Sequence, residues 1–444
     1  MPVSAARSAA FKILLRVEEE NSYVADLLHS SCSADLSPQD HGLATELVMG
    51  VLRWRSVLDQ QIAKASALPL SKLDIEVLIP LRLAAYQLLF LDRVPARAAV
   101  NESVELVKRA HKGSAVPFAN AVLRRLSPRL PELKDELFSS SARTISQLAD
   151  RWSHPQWLVE RWSRHYDPDV ARMICEYDQT PPETAIRLSD PLAEAELERE
   201  GIQLAPGKLL TSARRVRTGD VTNTAAFREG WVSIQDEASQ LVALLVGKAE
   251  DILDCCAAPG GKTRIIAEKN FGARVLAMDL HPHRARLLRR LVPADNVSVI
   301  AGDIVRVPMK KLYEAVIADV PCSGTGTLAR NPDIKWRLKE EDIVDLQGRQ
   351  IAILQSAMRR VASGGRLVYS TCSLEREENS EAVEKALAGD DSFRLVNCGE
   401  ILDELRSHNE LADGLDSIIA GPYLRTIPGM QPCDGFFAAV LEKM

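Results

Sequence analysis

No stretch of this 444-residue chain is apolar for long enough to cross a bilayer. The most hydrophobic run, Ile75 to Leu91, is interrupted by Glu76 and Arg82 and reads as a buried helix. No secretory leader is evident either: Arg7 and Lys12 stand among alternating small and apolar residues, with no apolar block before a cleavage site, so a cytoplasmic protein without a membrane role is expected. None of the eight cysteines, at 32, 175, 255, 256, 322, 372, 398 and 433, forms a Cys-x-x-Cys pair, and no histidine stands at ligand spacing. A zinc site is therefore not expected. A disulfide framework does not suit so long a chain without a leader, which leaves reduced thiols that are packing residues by default. Positive charge is not in excess: 55 Lys and Arg against 61 Asp and Glu give a net charge of -6, which argues against indiscriminate polyanion binding.

What is present is apolar material, 46% of the residues, in a chain long enough for two or three domains. From Ala5 to about Ser127 the apolar spacing is helical, with breaks at Ser37-Pro38, Leu68-Pro69, Val94-Pro95 and Val116-Pro117. This predicts an all-α bundle over residues 1–135. A polar stretch around Ser139 to Ser141 follows, then helices near Trp152, Trp157 and Trp162. Strands at Glu183 to Ser189 and Gly230 to Gln235 are expected to frame a small α/β connecting module over residues 150–245. From 246 to 444 short apolar strands alternate with helices: Asp251 to Asp254, Arg274 to Met278, Val297 to Ile300, Ala315 to Ala318, Arg366 to Tyr369, Phe393 to Val396 and Phe436 to Leu441. That alternation predicts an α/β domain on a mostly parallel seven-stranded sheet, whose ligands gather at the carboxyl ends of its strands. Local basic patches lie at Arg214, Arg215 and Arg217, at His281 to Arg290, and at Lys108, Arg109, Lys112, Arg124, Arg125 and Arg129; each by itself reads as a solvated face.

The residues with chemistry to offer stand at those strand ends. After the strand ending in Asp254, the loop Cys256-Ala257-Ala258-Pro259-Gly260-Gly261-Lys262 opens a helix at Thr263. Glycines there allow close approach of backbone, and a helix start offers free N–H donors and partial positive charge to an anionic group. A phosphate-binding P-loop needs a glycine where Cys256 stands, and the dinucleotide fingerprint G-x-G-x-x-G is missing. Asp279, after the second strand, stands where a ribose acceptor is expected, and Asp303, after the third, where an adenine amino group could donate. Either acid alone reads equally well as a cap; the three elements in succession predict a nucleoside cofactor. Cys322 and Cys372 follow two further strands on the same edge, which separates them from the other six cysteines. Asp319, at the end of the strand before Cys322, is open to three readings: contact with a base, contact with the cofactor, or a loop cap.

CAAPGGKT, DVPCSGTG and YSTCS, with NPDIKW at 331–336, EREENS at 375–380 and DGFF at 434–437, resemble the RNA 5-methylcytosine methyltransferases of the Sun/RsmB/Fmu type, in the NOL1/NOP2/Sun superfamily. The N-terminal LRLAAYQLLFLDRVPARAAVNESVELVKRA and FANAVLRRL resemble the NusB-like RNA-binding domain of its bacterial branch. The resemblance spans nearly the whole chain and implies a NusB-like bundle, a connecting module and a Rossmann-like methyltransferase domain. It implies S-adenosylmethionine as cofactor, with contacts at Cys256 to Lys262, Asp279, Asp303 and Asp319. By the same resemblance Cys372 is the nucleophile and Cys322 assists product release. The implied substrate is a cytosine of 16S ribosomal RNA, naked or partly assembled into a subunit, acted on by a monomeric enzyme without a metal. Carbon 5 of cytosine is a poor nucleophile until a thiolate adds at carbon 6, which is why such chemistry needs a cysteine and then a base.

Three alternatives stand beside it. The same chemistry on tRNA or 23S rRNA is not distinguished by the catalytic motifs. A DNA cytosine methyltransferase would use the Pro-Cys cysteine and carry a Glu-Asn-Val motif, which is absent. A non-catalytic NusB-like RNA-binding scaffold would have no use for two cysteines and a complete cofactor loop.

Overall fold

The computed structural model describes residues 3–20, 22–28, 36–129, 144–412 and 416–444. Cys32 and the Ser139 to Ser141 stretch lie outside the described residues. The chain forms two compact units: Met1–Thr180 together with Leu328–Arg337, and Pro181–Thr327 together with Leu338–Met444. No helix among the described residues is long and apolar enough to cross a membrane.

The first unit is helical. Helices Ala5–Glu20, Val24–Leu28, Pro38–Arg53, Arg55–Ala65, Ile75–Phe90, Ala96–Arg109 and Val116–Leu126 bury Ile13, Leu47, Leu58, Ile62, Leu81 and Leu83 against one another. Each such side chain contributes about 1.5–3 kcal/mol. The predicted break points open helices: Pro38 and Pro117 occupy first-turn positions, where a missing N–H costs nothing. Arg82, which interrupts the apolar run, lies 4% exposed inside the helix Ile75–Phe90. Asp59 receives two of its N–H groups at 2.7 Å and Glu18 a third at 2.9 Å, so the charge is buried only with its partners. Helices Ile145–Arg151, Gln156–His165 and Pro168–Asp178 complete this part of the chain.

The segment Leu328–Arg337 closes the end of the helix Pro38–Arg53. Lys335 donates to the carbonyl of Arg53 at 3.1 Å, and the Trp336 indole donates to that of Leu52 at 2.6 Å. Both satisfy carbonyls that a helix terminus leaves without intrahelical partners. Arg53 in turn donates to the carbonyl of Ala329 at 2.8 Å. Lys335 is fully buried, and that burial pulls its ammonium down to about 7.

The second unit holds two sheets. Strands β1 (Thr184–Leu188), β2 (Gln203–Pro206), β3 (Ala213–Thr218) and β4 (Val232–Ile234) form an antiparallel sheet in the order β2-β3-β1-β4. The large sheet takes β5 (Asp251–Asp254), β6 (Arg274–Asp279), β7 (Val297–Ala301), β8 (Tyr313–Asp319), β9 (Val361–Thr371), β10 (Phe393–Val396) and β13 (Phe437–Lys443), the seven strands the sequence predicts. Two short edge strands not foreseen, β11 (Ile419–Ala420) and β12 (Tyr423–Arg425), bring it to nine. The order is β11-β12-β13-β9-β8-β5-β6-β7, with β10 on β13. The run β7-β6-β5-β8-β9 is parallel, and β13 is antiparallel to β9. Alternate residues serve two cores: Ile252, Ile317 and Val368 pack with the helices Glu237–Leu244 and Gly261–Lys269, while Leu253, Val316 and Tyr369 pack with Glu340–Met358 and Ser380–Leu387. A sheet covered on both faces needs apolar residues facing both sides, as the central positions of β5, β8 and β9 have.

Candidate active site

The chain runs from β5 out to β6 and β7, then returns to place β8 on the other side of β5, so the strand order reverses between β5 and β8. Loops diverge at such a point and leave a crevice at the carboxyl ends. Along that edge stand, in spatial order, the Asp303 loop after β7, Asp279 ending β6, the glycine loop after β5, Asp319 ending β8 with Cys322 beyond it, and Cys372 after β9. Backbone hydrogen bonds lace the loops together: Ala257 N–H to the Met278 carbonyl at 2.8 Å, Gly302 N–H to that of Asp279 at 2.9 Å, Cys255 N–H to that of Ile317 at 2.9 Å, and Val320 N–H to that of Ser370 at 3.0 Å.

Gly260 has φ +119°, where other residues are strained, and a Cβ there would lie 2.6 Å from Val292 Cγ2 and 2.7 Å from Leu288 Cδ1. Glycine at this position thus lets the loop press against the helix Pro282–Leu291. The helix Gly261–Lys269 starts without a side-chain cap, and its first N–H groups suit a carboxylate. Cys256 lies in the loop with its thiol pushed up by burial and then by the Asp254 charge. Asp254, 1% exposed, accepts from Thr263 Oγ1 at 2.7 Å and from Cys256 N–H at 3.4 Å, and burial pushes its carboxyl up to about 7. Asp279 is 4% exposed, accepts from His281 N–H at 3.0 Å and faces Arg284 at 3.8 Å. Asp303 accepts from Val305 N–H at 2.9 Å, with Arg306 at 3.5 Å. Both acids thus make the cap-like bond to the residue two positions on and sit at the crevice. A capless helix start, a close-packed glycine loop and two carboxylates in succession fit a cofactor with a carboxylate at one end and a nucleoside at the other.

The cysteine loops come together. Cys322 Sγ lies 3.2 Å from Cys372 Sγ, and Cys372 N–H points at Cys322 Sγ at 3.3 Å. The hydrogen bond with Cys372, then burial, pushes the Cys322 thiol well above its ordinary range. Asp319 bridges the two halves of the crevice: one oxygen meets Lys262 Nζ at 2.7 Å, the other accepts from Ser370 Oγ at 2.7 Å. Lys262 also lies over the ring of Phe436 at 5.0 Å. Cys175, Cys255, Cys398 and Cys433 are buried packing residues.

Sequence reasoning did not assign the residues beneath the cysteines. Glu378, Ser323, Ser373 and Gln350 form a buried cluster there. Gly326 meets Gly435 so closely that a Cβ on Gly326 would lie 2.2 Å from the Gly435 carbonyl oxygen. The available signals were EREENS and DGFF, which stood out as motifs without a role. The patch at Arg214, Arg215 and Arg217 is neutralised where it stands, by Glu194 at 2.6 Å and by Glu183.

The family model described as 16S rRNA methyltransferase RsmB/F matches residues 241–442, and that of the NusB family matches residues 4–128. Among solved structures, that of PH0851 superposes with a TM-score of 0.79 at 22% identity, covering 100% of this chain and 99% of that one, a likeness of fold. NSun6 from Pyrococcus horikoshii, solved with SFG, superposes with a TM-score of 0.56 at 19% identity over 65% of this chain and 98% of that one. The ribosomal RNA small subunit methyltransferase B of Vibrio cholerae is 32% identical over 95% of both chains. The probable ribosomal RNA small subunit methyltransferase B of Bacillus subtilis is 33% identical over 100% of both. With identity of that order along its whole length, this chain belongs to the RsmB/F methyltransferase family and carries that family's enzyme region behind a NusB-family region.

Proposed function

We propose that the protein methylates carbon 5 of a cytosine in 16S ribosomal RNA through a covalent bond between Cys372 and carbon 6. The observation that carries this reading is the 3.2 Å approach of Cys322 to Cys372 at the ends of adjacent strands, beside the glycine loop. The rRNA target is taken from the names of the relatives in Bacillus subtilis and Vibrio cholerae. S-adenosylmethionine is the cofactor, and when bound it supplies the methyl group as an electrophile. Residues Cys256 to Lys262, Asp279 and Asp303 would hold it, with the start of the helix Gly261–Lys269 facing its carboxylate and Asp279 its ribose.

The chain's own work lies at the base. Cys372, as thiolate, adds to carbon 6; the ring's electron pair moves to carbon 5, which becomes nucleophilic. After methylation the carbon-5 proton leaves to a base, the carbon 6–sulfur bond breaks and aromaticity returns. Cys322, held protonated by its neighbour and by burial, stands beside the departing sulfur and assists that release. Asp319, fixed by Lys262 and Ser370, orders the wall between cofactor and base. We read residues 1–135 as the RNA-positioning domain, 150–245 as the connecting module and 246–444 as the catalytic domain of a cytoplasmic, monomeric enzyme.

The test runs Cys372→Ala and Cys322→Ala with labelled 16S rRNA and S-adenosylmethionine on denaturing gels. Cys372→Ala should lose turnover and form no adduct. Cys322→Ala should attack, methylate and release slowly, so a thioether-linked protein–RNA band accumulates. A band seen only with Cys372→Ala would reverse the assignment of nucleophile. Intact activity without a band in both would end the covalent reading.

A further inference from the structure

Each cysteine is followed by a serine, Ser323 and Ser373, and both serine hydroxyls donate to the same oxygen of Glu378, Oε2. The other oxygen, Oε1, accepts from Ser323 N–H at 2.8 Å and from Gln350 Nε2 at 2.8 Å. Gln350 also donates to the carbonyl of Pro321 at 3.0 Å, the residue before Cys322. The two serine oxygens lie 3.0 Å apart. Glu378 is fully buried, in the turn Arg376–Glu378, and its own carbonyl accepts from Tyr369 OH of β9 at 2.6 Å. A carboxylate only accepts, and every partner here donates; its charge makes each bond stronger than a neutral one. Burial pushes this carboxyl above its usual range, and the bonds from Ser323, Ser373 and Gln350 oppose that push.

From this geometry we infer that Glu378 is the positioning residue that clamps the two cysteine-bearing loops at the separation their shared chemistry needs. The inference rests on reading Cys322 and Cys372 as the reacting pair. Glu378 does not touch the base; it acts through the residues flanking each thiol. Two serines facing each other hold one bond between loops. With the carboxylate beneath them, four donors from the Cys322 loop, the Cys372 loop and the helix Glu340–Met358 converge on one side chain.

The clamp has a readout that needs neither RNA nor cofactor. Diamide accepts two electrons and two protons from a pair of thiols, becoming the hydrazine and leaving a disulfide. Thiols 3.2 Å apart need only close to about 2.05 Å to join. The rate of the Cys322–Cys372 disulfide, identified by peptide mass mapping, therefore measures how firmly the loops are held. In Glu378→Ala that rate and kcat should both fall, on the order of tenfold to a hundredfold, the scale of a misplacement of about 1 Å. The Kd for S-adenosylmethionine should stay within about twofold, since the glycine loop is not in the cluster. Glu378→Gln should recover part of both rates, because its oxygen still accepts while the hydroxyls turn to accept from its amide. A wild-type disulfide rate in Glu378→Ala would overturn the proposal, as would a slowed disulfide with unchanged kcat. If Glu378→Ala does not fold, the double variant Ser323→Ala/Ser373→Ala removes both hydroxyl links, and with them the carboxylate's hold on the Cys372 loop, leaving the carboxyl with Gln350 and the backbone N–H of residue 323; a wild-type disulfide rate there would overturn the clamp equally. Turnover by Cys372→Ala would defeat the functional reading instead, and the disulfide rate would still decide what Glu378 holds.

Discussion

Replacing Asp254 by Asn asks whether the carboxyl at the root of the glycine loop is neutral when the protein is folded. It is 1% exposed at the end of β5, and its carboxyl is pushed from 3.8 up to about 7, chiefly by burial and further by the charge of Asp319. Below pH 3.8 the group is protonated both folded and unfolded, and its contribution to stability is at its fullest. Between 3.8 and about 7 the unfolded chain ionises while the folded one keeps its proton, so stability falls as pH rises. Each pH unit is worth about 1.4 kcal/mol, which over this interval amounts to about 4 kcal/mol. Above about 7 both forms are ionised and the loss is complete. The asparagine of the variant cannot ionise yet keeps an oxygen for Thr263 Oγ1 or the Cys256 N–H. The stability of wild type minus that of Asp254→Asn should therefore decline by about 4 kcal/mol from about pH 4 to about pH 8, while effects common to both proteins cancel. Hydrogen exchange read on peptides of β5 to β9 reports on the large sheet itself, whatever the helical unit does. A difference that stays flat within about 1 kcal/mol would show that Thr263, Cys256 and Lys262 hold the group ionised, and the reasoning from burial would fail.

Asp279→Ala should weaken S-adenosylmethionine binding by about tenfold to a hundredfold, the roughly 1–3 kcal/mol cost of leaving donors without an acceptor, in a protein that still folds. An unchanged Kd in calorimetry would reduce Asp279 to the cap of His281 N–H that it also is. Arg109 and Arg124 belong to helices Ala96–Arg109 and Val116–Leu126 of the helical unit, and both are exposed. Arg109→Ala/Arg124→Ala should weaken rRNA binding and shrink the slope of log K against log salt by roughly two, while sparing the cofactor Kd. An unaltered slope would remove this cluster from the RNA surface.

The residues proposed to bear the chemistry stand out in the sequence because each lies at or just past the end of an apolar strand. Strand ends announce themselves: ILD before the glycine loop, EAVIA before Asp319 and Cys322, RLVYS before Cys372. Strand alternation placed all five loops on one edge without knowledge of pairing, since parallel strands share a direction. The two short edge strands at Ile419–Ala420 and Tyr423–Arg425 were not legible, because two or three residues carry no period.

The buried charged residues that hold the fold together were illegible for a different reason. Lys335 reads in the sequence as a surface lysine in NPDIKW, yet it closes a helix that ends 282 positions earlier. Its burial makes sense only beside the carbonyl of Arg53, and no local pattern contains that partner. Glu378 reads as one acid in a charged run, EREENS, the composition of a solvated turn. Its donors come from Ser323, 55 positions away, Gln350, 28 away, and Ser373, five away. A buried carboxylate is stable only where donors converge on it, and convergence is a property of the fold. Charged residues inside a family motif that lie off the strand ends, as Lys335 and Glu378 do, are therefore the positions where a sequence of this kind conceals its buried supports: Lys335 for a helix end of the helical unit, Glu378 for the loops that carry Cys322 and Cys372.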